Sequence, residues 1–324
     1  MSALVTVTEN LWSDLDVEAI ADAPLGPLTW YGAGGHAEVL IAPRTIEALR
    51  TLMQRCRSND IQVRVLGSGA NLLVTDEGVG GVVVRLNHPA FQKADWLGDG
   101  TSTTRIGAGA DLMKLVQESA RRGLGGLSQL AGIPATVGGA VRMNAGGSFG
   151  DTAQSVHSIE MLTIDGEDRT IPAAELDFGY RQCALPVGIV VAAHFDLVPG
   201  NPEEIRKHVK EVFDYKKSTQ PMADRSAGCM FKNPIDPATG RRESAGRLID
   251  LAGMKGQSIG GAFVSERHGN FVGLREGGTA NDILALAFAV QQRVLDHSGI
   301  RLDREVVVWS KRCENADKRR SEVP

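Results

Sequence analysis

Apolar residues recur in clear helical and strand phases along most of this chain. Ile46, Leu49, Met53 and Cys56 share one helical face, which predicts a helix over Thr45 to Asn59. The alternating run Ile61-Gln62-Val63-Arg64-Val65-Leu66 predicts a strand that runs straight into glycines, and Val82 to Leu86 predicts another. Asp111 is placed to cap a helix through Gly123 with Leu112, Leu115, Val116 and Ser119 on one face. Ser158–Ile164 and Gly188–Phe195 read as strands, with the turn Asp165-Gly166 between them. Further on, Asn201 as N-cap, Pro202 at the first position and Glu204 start a helix whose core face is Ile205, Val209, Val212 and Phe213. A short helix over Ser244 to Ala252 stops at Gly253. A longer one opens on a Thr279/Asp282 capping box, carries the stripe Ile283, Ala287, Val290, Val294, and stops at Gly299. Arg301 to Trp309 predicts a last strand. Short helices and strands without regular alternation predict an α+β class rather than a doubly wound sheet.

Length and composition narrow the class. A chain of 324 residues implies two or three domains, and 42% hydrophobic with 23% charged residues is enough to bury a core. The segmentation expected is an N-terminal extension over 1–24, a unit over 25–200 with subdomains near 25–86 and 87–200, a unit over 201–310, and a polar tail over 311–324 that is expected to fray. Lys and Arg number 35 against 39 Asp and Glu, a balance that argues against nucleic acid as partner. No apolar run approaches the ~18 residues of a membrane span. Asp14, Asp16 and Glu18 do not suit a signal peptide, so a cytoplasmic location is expected. Cys56, Cys183, Cys229 and Cys313 are far apart, which fits thiols in a reducing compartment and predicts neither a disulfide frame nor a metal site.

The 38 glycines are clumped, and the clumps carry the candidate chemistry. Gly67-Ser68-Gly69-Ala70-Asn71-Leu72 follows a strand but puts Leu72 where a dinucleotide fingerprint needs its third glycine, and it lacks the Lys-Ser/Thr of a P-loop. Small residues there let successive N–H groups turn toward an anion such as a pyrophosphate; a plain strand-to-strand turn is the competing reading. Gly132-Ile133-Pro134-Ala135-Thr136-Val137-Gly138-Gly139-Ala140, followed by Asn144, has little propensity for helix or strand. It reads as a wall for a flat ligand, with backbone amides on the ligand's polar edge, against the alternative of a buried packing loop. Together the two loops suit a large cofactor with a pyrophosphate and a ring system. In the second half, Arg181 after Tyr180, Cys229 in Gly228–Pro234, and Glu305 before an apolar strand stand out. Each alone has a bland explanation: a surface ion pair, a small buried hydrophobe, a solvated strand-end charge.

Taken in order, these segments resemble the UDP-N-acetylenolpyruvoylglucosamine reductase family. The resemblance runs from about Leu28 to Val308 and adds Gly34-Gly35-His36-Ala37, Ala245 to Ile249, His268-Gly269-Asn270-Phe271 and Leu302 to Val306. It implies an FAD-binding half of the vanillyl-alcohol-oxidase type, made of two α+β subdomains, and a C-terminal α+β substrate domain. It also implies NADPH as electron donor, small-molecule partners only, and the branch without a substrate-covering tyrosine loop. Under it, Arg181, Cys229 and Glu305 are the catalytic residues. The FAD site includes Gly67, Ser68, Gly69, Ala70, Asn71 and Leu72, and then Gly132, Ile133, Pro134, Thr136, Gly138, Gly139, Ala140 and Asn144. Lys217, with Lys216 a competitor, and Asn233 hold the uridine diphosphate. Cys229 stands where the family usually has Ser. A thiol ordinarily titrates near about 8.5, so it is mostly protonated at neutrality and is a stronger acid than a hydroxyl. Ala70 replaces a usual Ser, and Gly147-Ser148 lengthens a loop by about one residue. The alternatives are a related flavoprotein oxidase and an idle flavin-binding regulator with Cys229 as redox sensor.

Overall fold

The computed structural model describes residues 11–96, 103–221 and 224–311. Among them six α-helices occur: α1 (Ile46–Ser58), α2 (Leu112–Arg121), α3 (Val137–Arg142), α4 (Pro202–Thr219), α5 (Ala245–Leu251) and α6 (Ala280–Ser298). Side-chain caps, three of which (Asp111, Asn201 and Thr279) the sequence predicts, open α1, α2, α4, α5 and α6. Thr45 accepts from Ala48 N at 3.1 Å, Asp111 from Lys114 N at 2.9 Å, Asn201 from Glu203 N at 2.9 Å and Ser244 from Arg247 N at 3.2 Å. At α6 the Thr279 hydroxyl accepts from Asp282 N and the Asp282 carboxylate accepts from Thr279 N, so the box closes both ways. Gly299, at φ 70°, ends that helix in the left-handed region.

The chain divides into two compact units: Met1–Ile20, Leu40–Ser68 and Val82–Met222 form the first, and Ala21–Val39, Gly69–Gly81 and Ala223–Pro324 the second. Each has its own apolar core. In the first unit a five-stranded antiparallel sheet runs in the order Asp168–Pro172, Val156–Thr163, Gly188–Phe195, Thr104–Gly107, Ala94–Asp95. Ile106, Ile159 and Phe195 from this sheet join Leu112, Leu115 and Val116 of α2 and Val212 of α4 in one buried cluster. Full burial of each such side chain contributes roughly 1.5–3 kcal/mol. A parallel pair, Val63–Val65 beside Val82–Val84, belongs to the same unit.

In the second unit α5 and α6 pack with a three-stranded antiparallel sheet of Ser258–Ile259, Ala262–Val264 and Val272–Leu274. Its core gathers Tyr31, Leu73, Phe231, Ile249, Val290 and Val294. Leu72–Val74 pairs in parallel with Val307–Trp309, the last described strand. That strand is shorter than the predicted Arg301–Trp309, because residues 304–306 bond instead to the Met230 segment. Leu73 and Tyr31 therefore lie in a core built mainly from the C-terminal third.

Two findings differ from the expectations. The boundary expected at Asn201 falls inside the first unit, since α4 packs on α2 and buries Val212 there. And α3 forms where little propensity is present: the Thr136 hydroxyl caps Gly139 N at 3.3 Å, while Val137 N and Gly138 N donate to the Ala110 and Ala108 carbonyls. Docking to a neighbouring segment makes this helix. Residues 312–324, most of the expected tail, lie outside the described residues. Among the described residues no helix is long and apolar enough to cross a membrane.

Asp76 receives Ala280 N and Asn281 N on its two carboxylate oxygens, each at 3.0 Å, and so closes the first turn of α6. Asp76→Ala is expected to lower unfolding stability by about 1 kcal/mol. The check is a urea melt, in which an unmoved midpoint contradicts this role.

Candidate functional site

Gly67 and Ser68, the start of the first glycine loop, meet the second loop within the first unit. Ser68 Oγ donates to the Pro134 carbonyl at 2.9 Å, and a Cβ on Gly67 would lie 2.8 Å from Thr136 Oγ1. Their backbones behave differently. The N–H groups of Val137, Gly138, Gly139 and Ala140 are all spent, on Ala110, Ala108 and Thr136. The second loop thus corrects the expectation of ligand-facing amides at those four positions: Gly138 and Gly139 let α3 pack and be capped, and Ala140 is buried. By contrast, the N–H groups from Gly67 to Asn71 find no partner among the described residues. A run of unspent donors on small residues after a strand is what binds a pyrophosphate. Gly69 has φ +68°, and a Cβ there would sit 2.1 Å from the Leu28 carbonyl, so only glycine fits. Leu72 is a buried strand residue. Ile133, Pro134 and Thr136 remain half-buried. Within the first unit, the unspent amides of Gly67 and Ser68 near the half-buried Ile133, Pro134 and Thr136 are chemically suited to an FAD.

Arg181 sits at the tip of a two-residue hairpin between Asp177–Gly179 and Gln182–Ala184, with Gly179 paired to Gln182. Its φ of +58° is the pattern of a type II turn, which ordinarily takes glycine there. The guanidinium lies 5.3 Å from the Tyr180 ring centroid. Asn144 spends its carboxamide within the protein, on Asp151, Gly179 and Ala153.

Within the second unit the structure brings two of the expected catalytic residues onto adjacent backbone. Glu305 N donates to the Met230 carbonyl at 2.8 Å, directly after Cys229, and Asn71 Nδ2 donates to the Glu305 carbonyl at 3.2 Å. Cys229 forms an isolated bridge with Phe271 and is half-buried. Asn270, 2% exposed, clamps Phe231 from both sides through its carboxamide, at 2.9 and 2.8 Å. Only its place in His268-Gly269-Asn270-Phe271 signals it in sequence. Asn233 accepts from Ala245 N at 3.0 Å and is tied to the start of α5.

Lys217 is exposed, whereas Lys216 is buried and donates to the Ala131 carbonyl at 2.5 Å. A Cβ on Gly132 would meet the Lys216 chain at 3.3 Å. Burial, and then repulsion from Arg181, pull the Lys216 ammonium down to about 8. Of the two competing lysines, the buried one therefore feels the charge of Arg181. Its spacing was the available signal: Lys216 continues the stripe Val209, Val212, Phe213.

The fold and the first loop define a flavin-binding class, and the family model described as FAD binding domain matches residues 37–171. A second model, UDP-N-acetylenolpyruvoylglucosamine reductase C-terminal domain, matches residues 220–309. The protein of that name from Desulfosudis oleivorans is 40% identical over 303 residues, covering 89% of this chain and 93% of that protein. The one from Myxococcus xanthus is 39% identical, covering 89% and 91%. The crystal structure of the enzyme from Thermus caldophilus superposes with a TM-score of 0.77 at 42% identity, covering 91% of this chain and 99% of that one. The chain belongs to the UDP-N-acetylenolpyruvoylglucosamine reductase family.

A lysine held near 8 in the folded state but titrating near 10.5 when unfolded has a signed consequence. Between those values the unfolded chain binds the proton and the folded chain does not, so unfolding free energy rises with pH. The gain is on the order of 3 kcal/mol. Wild type is expected to gain this much over Lys216→Met between pH 8 and pH 10.5 in urea melts; parallel curves contradict it.

Proposed function

We propose that Arg181, Cys229 and Glu305 carry out the reduction of the enolpyruvyl ether of UDP-N-acetylglucosamine to UDP-N-acetylmuramate, a step toward peptidoglycan. The observation that carries the reading is the Glu305 N to Met230 O bond, which sets the carboxylate-bearing strand beside the thiol segment in a member of this family. Bound FAD, reduced by NADPH, supplies the hydride to the terminal carbon of the enolpyruvyl double bond. Gly67 to Asn71 would hold its pyrophosphate by their unspent N–H groups, and Ile133, Pro134 and Thr136 would offer an apolar surface to it.

As the double bond takes hydride, negative charge moves onto the substrate carboxylate. Arg181 meets it with a planar guanidinium matched to a carboxylate. The adjacent carbon then needs a proton, which Cys229 Sγ delivers; Glu305 supports the charge balance there and the return of a proton to sulfur. Lys216 and Asn233 serve the diphosphate end, the first as a second cation and the second through its amide. The exposed Lys217 is the weaker candidate for that contact. We place the reaction in the cytoplasm, where the sugar nucleotide and NADPH are made, with small molecules as the partners it requires.

In the test, the holoenzyme is bleached anaerobically with NADPH and then mixed with the enolpyruvyl nucleotide. Arg181→Ala is expected to keep FAD and slow colour return by about 10²–10³-fold. Cys229→Ala should slow it by about 10²–10⁴-fold without slowing the bleaching, and Cys229→Ser should restore most of the loss. Full turnover by Cys229→Ala rules out the thiol as proton donor.

A further inference from the structure

The hairpin that carries Arg181 is not held by its own sequence. A two-residue turn with φ +58° at its second position is comfortable for glycine, and an arginine there costs on the order of 1–2 kcal/mol. Something outside the hairpin has to favour this conformation. The strands are three residues each, Asp177–Gly179 and Gln182–Ala184, and form a two-stranded sheet of their own.

Asn144 reaches that hairpin from the end of α3. The helix closes with a Schellman motif: Ala145 N donates to the Ala140 carbonyl at 2.8 Å and Asn144 N to the Val141 carbonyl at 3.1 Å. Asn144 occupies the left-handed position, at φ +39°, and is 4% exposed. Nδ2 donates to the Gly179 carbonyl at 3.1 Å and to Asp151 Oδ2 at 3.2 Å, and Oδ1 accepts from Ala153 N at 3.0 Å. Gly179 is the residue that opens the turn, two positions before Arg181. The Asp151 and Ala153 bonds fix the carboxamide plane, so its remaining N–H has one direction, toward that carbonyl.

We propose that Asn144 is a positioning residue for Arg181: by gripping the Gly179 carbonyl from the end of α3, it holds the hairpin in the left-handed form that presents the guanidinium. The helix that backs the FAD loop and the cation that neutralises the substrate thereby share one anchor. This rests on the role given to Arg181 above.

Asn144→Gly tolerates the left-handed backbone and removes the side chain that grips Gly179, which makes it the informative variant. The measurement is stopped-flow of both half-reactions on holoenzyme, with Asn144→Gly alone, Arg181→Ala alone, and the two combined. Asn144→Gly is expected to slow flavin reoxidation by the enolpyruvyl nucleotide about 30-fold while NADPH reduction changes less than about twofold. In the Arg181→Ala background the same change should add less than about threefold. Trypsin provides a readout apart from activity: cleavage after Arg181, followed by mass spectrometry against cleavage after the exposed Lys217, should rise about tenfold in Asn144→Gly as the turn loosens. Equal slowing of both half-reactions, a full additional loss in the Arg181→Ala background, or an unchanged cleavage ratio overturns the anchor role. If Arg181→Ala alone leaves reoxidation fast, the reading of Arg181 fails first, and the anchor role falls with it.

Discussion

A three-residue parallel pairing carries much of the second unit. Val307–Trp309 lies beside Leu72–Val74, so the last described strand of the chain is registered against the strand that leaves the first glycine loop. One residue before that pairing Asn71 binds the Glu305 carbonyl, and Glu305 in turn bonds the residue after Cys229. Parallel strands cannot be joined by a tight turn, and here more than 200 residues separate the partners. The loop-closure cost of such a contact is met by the core around Leu73, Phe231 and Val290. The Cys229 and Glu305 segments thus come together only once the whole unit has folded.

The first unit solves a different problem. Its sheet and helices leave Arg181 on a short hairpin in an unfavourable backbone conformation. The Arg181 charge lowers the proton affinity of the buried Lys216. Backbone strain of this kind at Arg181 marks sites at which ligand binding recovers what folding gave up.

The local signals of the fold were readable from sequence. Caps at Asp111, Asn201 and Thr279 placed three helices, because each is a side chain bonding within four residues of itself, and apolar spacing placed α1. The misses all depend on distant partners. α3 arises because Ala108 and Ala110 supply acceptors to a glycine-rich segment. The unit boundary lies beyond α4 because Val212 fits a core formed by residues far earlier in the chain, from Ile106 to Leu197. The family resemblance supplied Arg181, Cys229 and Glu305, and hydrophobic phasing alone would not have chosen among their neighbours. Lys216 was legible in principle as the next residue in the α4 stripe, but a cation on an apolar face is read as a boundary unless something it answers to is known.

The central claim is that an arginine, a thiol and a carboxylate from distant parts of the chain act on one three-carbon group. The most direct measurement is a crystal structure of the oxidised holoenzyme with the enolpyruvyl nucleotide bound. The account predicts the Arg181 guanidinium on the substrate carboxylate, with Cys229 Sγ within about 4 Å of the carbon that must gain a proton and Glu305 on the same side. A complex in which the carboxylate is held by other groups, with Cys229 turned away from that carbon, contradicts it.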